Sequence, residues 1–285
     1  MAKASWNLQG GVAAITGAGS GIGAALAVEL ARRGMQVALA DRTAPGLEAT
    51  AESARKTGAK VSTHIFDVTD RAMAAAWPQA VVAQHGRVTV LVNNAGIAVG
   101  GTFDQVDAAD FDQLMEINFA APVRLTRAFL PLLSREKAAQ IVNVSSILGI
   151  VATPGQTAYC SSKFALRGFS ESLRQELTVA GSPVGVTLVH PGGVRTSIAS
   201  SAKVPRGADP AQLEQQQRAW KQMLSMPPEQ AARIIADAIA QRAPRVLVGE
   251  DAKRAAFLQR VMPVDYWKVM ARGIAKRIER SSQAT

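Results

Sequence analysis

A single cysteine, Cys160, occurs in 285 residues, which excludes an internal disulfide framework and a cysteine-rich metal site and fits a reducing cytoplasm. Cys160 itself reads as a small buried packing residue. There are only three histidines, His64, His85 and His190, and none forms a pair at helical spacing, so they read as structural and no metal is expected. Aromatic residues make up 5% of the chain, so the 48% hydrophobic content is carried by Ala, Val, Ile and Leu, which suits a sheet covered by helices better than an aromatic-rich β-sandwich. No run approaches the ~18 consecutive apolar residues of a membrane span, and the opening MAKASWNLQGG lacks the apolar core of a secretory signal. Together these make a cytoplasmic protein the expectation. The formal net charge is +10, and residues 250–285 carry +4 of it. The chain has no long basic run and no aromatic residues interleaved with basic ones, so nucleic-acid binding is not expected.

Apolar strand-like runs alternate with helical stretches along the chain. Strands are expected at Val12–Thr16, Gln36–Ala40, Lys60–Phe66, Val88–Val92, Gln140–Val144, Val184–Val189 and Arg245–Val248. Helices are expected at Ile22–Arg33, Pro45–Lys56, Arg71–Gln84, Ala108–Leu133, Ala158–Ala180 and Pro228–Gln241, with Pro78, Pro122 and Pro131 as irregularities inside them. The strands are near-continuously apolar, as strands covered on both faces are. Repeated βα units imply right-handed crossovers and an α/β fold, a Rossmann-like doubly wound parallel sheet of about seven strands in a single domain. The division expected is a dinucleotide-binding catalytic domain over 8–250, including a loop at 195–227, and a helical extension over 251–285.

The first strand runs into Thr16-Gly17-Ala18-Gly19-Ser20-Gly21-Ile22-Gly23 and then a helix. Glycines there let the backbone approach a pyrophosphate, and the following helix N-terminus offers free N–H groups and partial positive charge. A tight strand–helix turn without a ligand is the plainer reading, but its place after the first strand of a βαβ unit favours a phosphate site. Asp41 ends the second strand, 18 residues after Gly23, where a carboxylate accepts from ribose hydroxyls and repels a 2′-phosphate. Arg42 follows and could instead welcome that phosphate. The acid holds the strand-end position, so NAD is favoured and NADP stays open.

Tyr159 and Lys163 lie four residues apart at the start of a helix and share a face. Hydride addition to a carbonyl builds negative charge on oxygen and calls for a proton donor. A phenol titrates near 10 in water, and a neighbouring ammonium lowers that value toward the range useful for proton exchange. Ser146, 13 residues before Tyr159, ends the fifth strand, where a hydroxyl could bind the substrate oxygen. By itself a Tyr-x-x-x-Lys spacing is ordinary helix surface.

In company with the other motifs it is not. Over roughly residues 8–250 the sequence resembles the short-chain dehydrogenase/reductase family. The resemblance rests on the Thr16–Gly23 turn, Asp67, Asn93-Asn94-Ala95-Gly96, Asn118, Asn143-Val144-Ser145-Ser146, Tyr159-Cys160-Ser161-Ser162-Lys163, and Pro191-Gly192 with Val194 and Thr196. It implies an NAD(P)-dependent oxidoreductase acting on CH–OH and C=O groups. Tyr159 would be the general acid/base, Lys163 would tune it and hold the nicotinamide ribose, Ser146 would position the substrate oxygen, and Asn118 would support a proton relay. Gly17, Ser20, Gly21, Ile22 and Gly23 would meet the pyrophosphate. Asp67 and Val68 would contact adenine, Asn94, Ala95 and Gly96 would line the adenosine side, and Pro191, Gly192, Val194 and Thr196 would border the nicotinamide. Of the serine pair, the spacing selects Ser146. A small-molecule alcohol or carbonyl substrate and a homodimer or homotetramer are implied as partners. Gly193 and Arg195 fall at variable positions of the pattern.

Residues 195–227 form the least regular stretch. Trp220, Met223, Leu224 and Met226 read equally as an apolar substrate lid or as a helix packed on the core, and a secondary alcohol or ketone of apolar character is the expected substrate. In the tail, Trp267, Met270, Ile274 and Ile278 alternate with Lys268, Arg272, Lys276 and Arg280, the pattern of a basic amphipathic helix. It could lie on an anionic membrane, cover a neighbouring subunit, cap the substrate cleft or pack on its own protein, the last being commonest. A cofactor-binding regulatory protein with little turnover is the rival reading, and the intact Asn118, Ser146, Tyr159 and Lys163 set argues against it.

Overall fold

In a computed structural model, which describes residues 6–198, 202–203 and 224–273, seven parallel strands form one sheet in the order β3-β2-β1-β4-β5-β6-β7. The strands are β1 (Val12–Thr16), β2 (Gln36–Asp41), β3 (Val61–Ile65), β4 (Val90–Asn93), β5 (Ala139–Val144), β6 (Val184–Pro191) and β7 (Arg245–Val248). From β1 the chain winds outward to β3, then crosses back to place β4 on the other side of β1, so the strand order reverses between β1 and β4. At such a reversal the loops leaving neighbouring strands diverge and open a crevice at the strands' carboxyl ends.

Helices cover both faces, and β1, β4 and β5 are fully buried, which accounts for their unbroken apolar character. On one face α1 (Gly21–Arg32), α2 (Ala44–Arg55) and α7 (Pro228–Ala240) enclose a core that includes Ile15, Leu26, Leu39 and Ile235. On the other, α3 (Arg71–His85), α5 (Ala121–Leu133) and α6 (Thr157–Val179) enclose Trp77, Leu125, Phe129 and Ile141. The last fully described helix, α8 (Glu250–Val261), follows β7 directly. The strand and helix expectations hold, with ends shifted by up to two residues.

The helix expected over Ala108–Leu133 is continuous but not uniform. It runs as α4 (Ala108–Met115), a wide turn (Glu116–Ala120) and α5. In the wide turn the Ala121 N–H donates to the Glu116 carbonyl, five residues back. Pro122 has no N–H to return to the carbonyl of Asn118, and the helix accommodates this by widening there. The proline thus sets the local geometry of Asn118.

Candidate active site

The crevice at the strand-order reversal is a cleft of about 1250 Å³. Gly17, Ser20, Gly21, Ile22, Asp41, Arg42, Asp67, Val68, Asn94, Ala95, Gly96, Ser146, Tyr159, Lys163, Pro191, Gly192, Val194 and Thr196 all line it. Residues as far apart in sequence as Gly17 and Thr196 are therefore gathered on one surface. Gly23 and Asn118, also expected at the site, do not line it.

The glycine turn has no room for side chains. A Cβ on Gly17, whose φ is +65°, would sit 2.8 Å from both the Ala95 Cα and the Asn94 amide nitrogen. On Gly23 it would sit 2.2 Å from the Gly17 carbonyl oxygen, and on Gly21 3.0 Å from the Thr196 methyl. The turn is thus wedged between the loop leaving β4 and the segment leaving β6. Asn94 braces it by donating its side-chain amide to the carbonyls of Thr16 (3.0 Å) and Gly17 (3.1 Å). The Thr16 hydroxyl accepts from the Asn94 and Ala95 N–H groups. Ser20 starts α1 in extended conformation and its side chain caps no N–H, so the helix opens toward the cleft with its first donors uncapped by a side-chain oxygen. Asp41 accepts from the Gly19 N–H (2.9 Å) and from the Thr43 N–H and hydroxyl, which fixes its carboxylate at the edge of the turn. Arg42 is exposed beside it. A bare-backbone turn, uncapped helix donors and a fixed carboxylate fit a dinucleotide with its pyrophosphate over the glycines and a ribose against Asp41.

At the ends of β4, β5 and β6 buried polar groups brace the segments that carry Ser146, Tyr159 and Lys163. Asn118 is almost fully buried, its amide oxygen accepts from the Ile97 N–H (2.9 Å), and its amide nitrogen donates to the Ile97 carbonyl and the Ser162 hydroxyl. A Cβ on Gly96 would lie 3.1 Å from the Asn118 oxygen and 3.6 Å from the Lys163 ammonium nitrogen. The two serines after β5 divide the work. Both line the cleft, but Ser145 is buried and donates to the Lys163 carbonyl (3.0 Å), which fastens the helix, while the Ser146 hydroxyl accepts from the Leu148 N–H (3.1 Å). His190 is completely buried and its Nδ1–H donates to the Ser146 carbonyl (2.7 Å), fixing the serine's backbone. Burial holds this imidazole down at about 4, so it is neutral. Sequence reasoning set His190 aside as structural, and no local pattern marks its link to Ser146.

Tyr159 and Lys163 share a face of α6. The ammonium nitrogen is 5.6 Å from the phenol ring centroid and donates to the Val144 carbonyl (3.1 Å). The phenol stands above, not below, its ordinary value. Burial pushes the phenol up to about 12, and the nearby Ser146 side chain offsets this only in part. Burial pulls the Lys163 ammonium down to about 8. Both charged forms lose water in the low-dielectric wall of the cleft, which disfavours the phenolate and the ammonium alike.

The outer end of the cleft is built from segments far along the chain. Leu224 and Met226 line it, and Met226 exchanges backbone hydrogen bonds with Gly193 and Arg195. Trp220 and Met223 lie outside the described residues. Leu258 of α8 and Trp267 and Met270 of the helical stretch 266–273 also line the cleft, with Lys268 and Arg272 exposed. Ile274, Lys276, Ile278 and Arg280 lie outside the described residues. The described part of the tail thus packs on its own protein beside the cleft, with its basic side chains outward. Among the described residues no three His, Cys, Asp or Glu gather as a metal site, and no helix is long and apolar enough to cross a membrane. Cys160 is buried, as expected.

A doubly wound sheet, a glycine turn at its strand-order reversal, and a serine, tyrosine and lysine on the same cleft define a dinucleotide-dependent oxidoreductase. Residues 11–206 match the family model described as short chain dehydrogenase. The Mycobacterium tuberculosis protein SadH, named as an oxidoreductase, is 42% identical over 271 residues, covering 95% of this chain and 97% of that one. Among solved structures, a short chain dehydrogenase/reductase from Burkholderia phymatum in complex with NAD superposes with a TM-score of 0.82 at 31% identity, covering 90% of this chain and 94% of that one. A metagenomic short-chain oxidoreductase in complex with NADP reaches 0.68 at 33% identity, covering 85% and 98%. The chain belongs to the short-chain dehydrogenase/reductase family of nicotinamide-dependent oxidoreductases.

Proposed function

We propose that the protein interconverts an apolar secondary alcohol and its ketone, with NAD preferred over NADP and Tyr159 exchanging the proton. The observation that carries this reading is the convergence of Ser146, Tyr159 and Lys163 on the cleft that holds the glycine turn. A bound nicotinamide ring would give or take the hydride. In the reducing direction Tyr159, neutral because its phenol sits near 12, supplies the proton to the carbonyl oxygen, and Ser146 holds that oxygen by a hydrogen bond. In the oxidising direction the phenol must lose its proton. Lys163, largely an ammonium at neutral pH even at about 8, favours the anion that forms. Asn118 and Ser162 tie the helix bearing Tyr159 to the loop after β4, because Ser162 donates to the Tyr159 carbonyl (2.8 Å) and accepts from Asn118 (3.1 Å).

NAD is preferred because Asp41 sets a fixed negative charge beside the turn, and a 2′-phosphate there would meet it at close range. The apolar residues of the lining, among them Ile97, Leu148, Val151, Leu224, Leu258 and Trp267, support an apolar substrate. The test is Tyr159→Phe assayed by nicotinamide absorbance over a panel of ketones and alcohols with both cofactors. Turnover is expected to fall by roughly 10²-fold or more while dinucleotide binding, read by fluorescence, survives. Wild-type rates in Tyr159→Phe would remove the tyrosine from the chemistry. Dinucleotide binding with no turnover of any panel member by the wild-type protein would favour a regulatory role.

A further inference from the structure

The chain continues past β7 for more than thirty residues, and its described part, 250–273, is fastened to the cleft at two places that border the reactive end. At its start, Asp251 accepts from the Gly193 N–H (2.6 Å), and its carboxylate fills the space where a Cβ on Gly192 or Gly249 would lie, 2.3 and 2.4 Å away. Farther on, the Tyr266 hydroxyl accepts from the Ala152 N–H (2.8 Å) and donates to the Ala152 carbonyl (3.3 Å). Gly193 belongs to the segment leaving β6, and Ala152 to the loop between Ser146 and Tyr159. The extension therefore spans from one rim of the reactive end to the other. Between the two fastenings Arg254, Ala255 and Leu258 line the cleft, just past the second Trp267 and Met270 do so, and α8 packs on the turn Ile147–Gly149 that follows Ser146.

We propose that residues 250–273 form the specificity wall of the substrate end, clamped by Asp251 and Tyr266, and that this wall selects ketones and alcohols whose carbon chain is large enough to reach Leu258, Trp267 and Met270. The proposal rests on the alcohol–ketone reading above and goes beyond it by naming what sets the choice of substrate. Glu250, Asp251 and Arg254 line the cleft at the start of this stretch, while Ala255, Leu258, Trp267 and Met270 make the rest of it apolar, so the contribution of that apolar part grows with the apolar area that a substrate buries against it. A short ketone reaches Ser146 and Tyr159 without touching it. A long one gains binding at the wall that a short one cannot. Tyr266 is a positioning residue: its hydroxyl holds the wall in register with the Ser146–Tyr159 loop and touches no reacting atom.

The test compares butanone with methyl octyl ketone. The wild-type protein is expected to favour the longer ketone in kcat/KM. Trp267→Ala is expected to shrink that preference by about tenfold through KM, Trp267→Phe to restore most of it, and Tyr266→Phe to shrink it in the same direction. Dinucleotide affinity is expected to stay within about twofold in all three variants, since Trp267 and Tyr266 lie at the substrate end. Calorimetric binding of methyl octyl ketone to the protein provides a readout that does not depend on turnover, with about a tenfold weaker Kd expected in Trp267→Ala. An unchanged chain-length preference with unchanged calorimetric binding overturns the proposal. So does an equal loss of activity on both ketones. If Tyr159→Phe abolishes turnover but Trp267→Ala leaves the preference intact, the wall fails and the catalytic reading stands. If no ketone turns over but methyl octyl ketone binds and Trp267→Ala weakens it, the catalytic reading fails and the wall stands.

Discussion

The ammonium nitrogen of Lys163 lies 5.6 Å from the centroid of the Tyr159 ring and is held there by the Val144 carbonyl, so the cation flanks the phenol across one turn of α6. At that separation in a buried wall, desolvation decides both titrations: the phenol rises to about 12 and the ammonium falls to about 8.

This ordering is open to direct measurement. The chain has two tyrosines, Tyr159 and Tyr266, so the alkaline ultraviolet titration of the wild type minus that of Tyr159→Phe isolates one phenol. In the cofactor-free protein it is expected to titrate well above 10. Between 10 and about 12 the folded protein then holds a proton that the unfolded chain has lost, so this phenol lowers stability as pH rises through that window, and Tyr159→Phe removes that loss. A Tyr159 titration midpoint below 10 would show that Lys163 outweighs burial.

His190 gives the opposite limb. Its imidazole is buried and titrates at about 4, against 6.5 in the unfolded chain. The unfolded chain therefore binds the extra proton between those values, and the stability due to neutral His190 is present above 6.5 and lost as pH falls toward 4. The full effect is on the order of 3 kcal/mol. His190→Asn, which keeps a donor near the Ser146 carbonyl, is expected to flatten the acid side of the stability–pH curve in denaturant melts between pH 7 and 4.

Gly23→Ala would force a methyl to 2.2 Å from the Gly17 carbonyl oxygen and 2.5 Å from the Asn94 amide. Neither neighbour can yield freely, since Asn94 braces the turn. The expected result is a loss of about 1–3 kcal/mol in stability with dinucleotide binding impaired beyond detection, read by thermal melts with and without cofactor. A variant that melts and binds like the wild type would contradict the close packing under the turn.

Asp41→Asn removes the negative charge while keeping an acceptor for the Gly19 N–H. The ratio of kcat/KM for NAD over NADP is expected to fall by about tenfold, the size of one lost electrostatic discrimination of roughly 1.4 kcal/mol. Steady-state assays with both cofactors on one substrate decide it. An unchanged ratio would shift the choice of cofactor to other residues, Arg42 first among them.

The amino-acid sequence by itself determined everything that depends on neighbours in the chain. Unbroken apolar runs gave the buried strands, alternation of strand and helix gave the winding, and positions where only glycine fits gave the turn after β1. A four-residue spacing put Tyr159 and Lys163 on one face of α6. Only the tertiary structure decided what depends on residues meeting from afar. His190 reaches Ser146 across 44 positions, Asp251 reaches Gly193 across 58, and Tyr266 reaches Ala152 across 114. No periodicity records such meetings, because hydrogen bonds of this kind need one donor and one acceptor at the right place and leave no repeat. The direction of the phenol's pKa falls on the same side. The spacing shows that a cation is near, but how much water the folded wall removes from both groups is a property of the whole cleft.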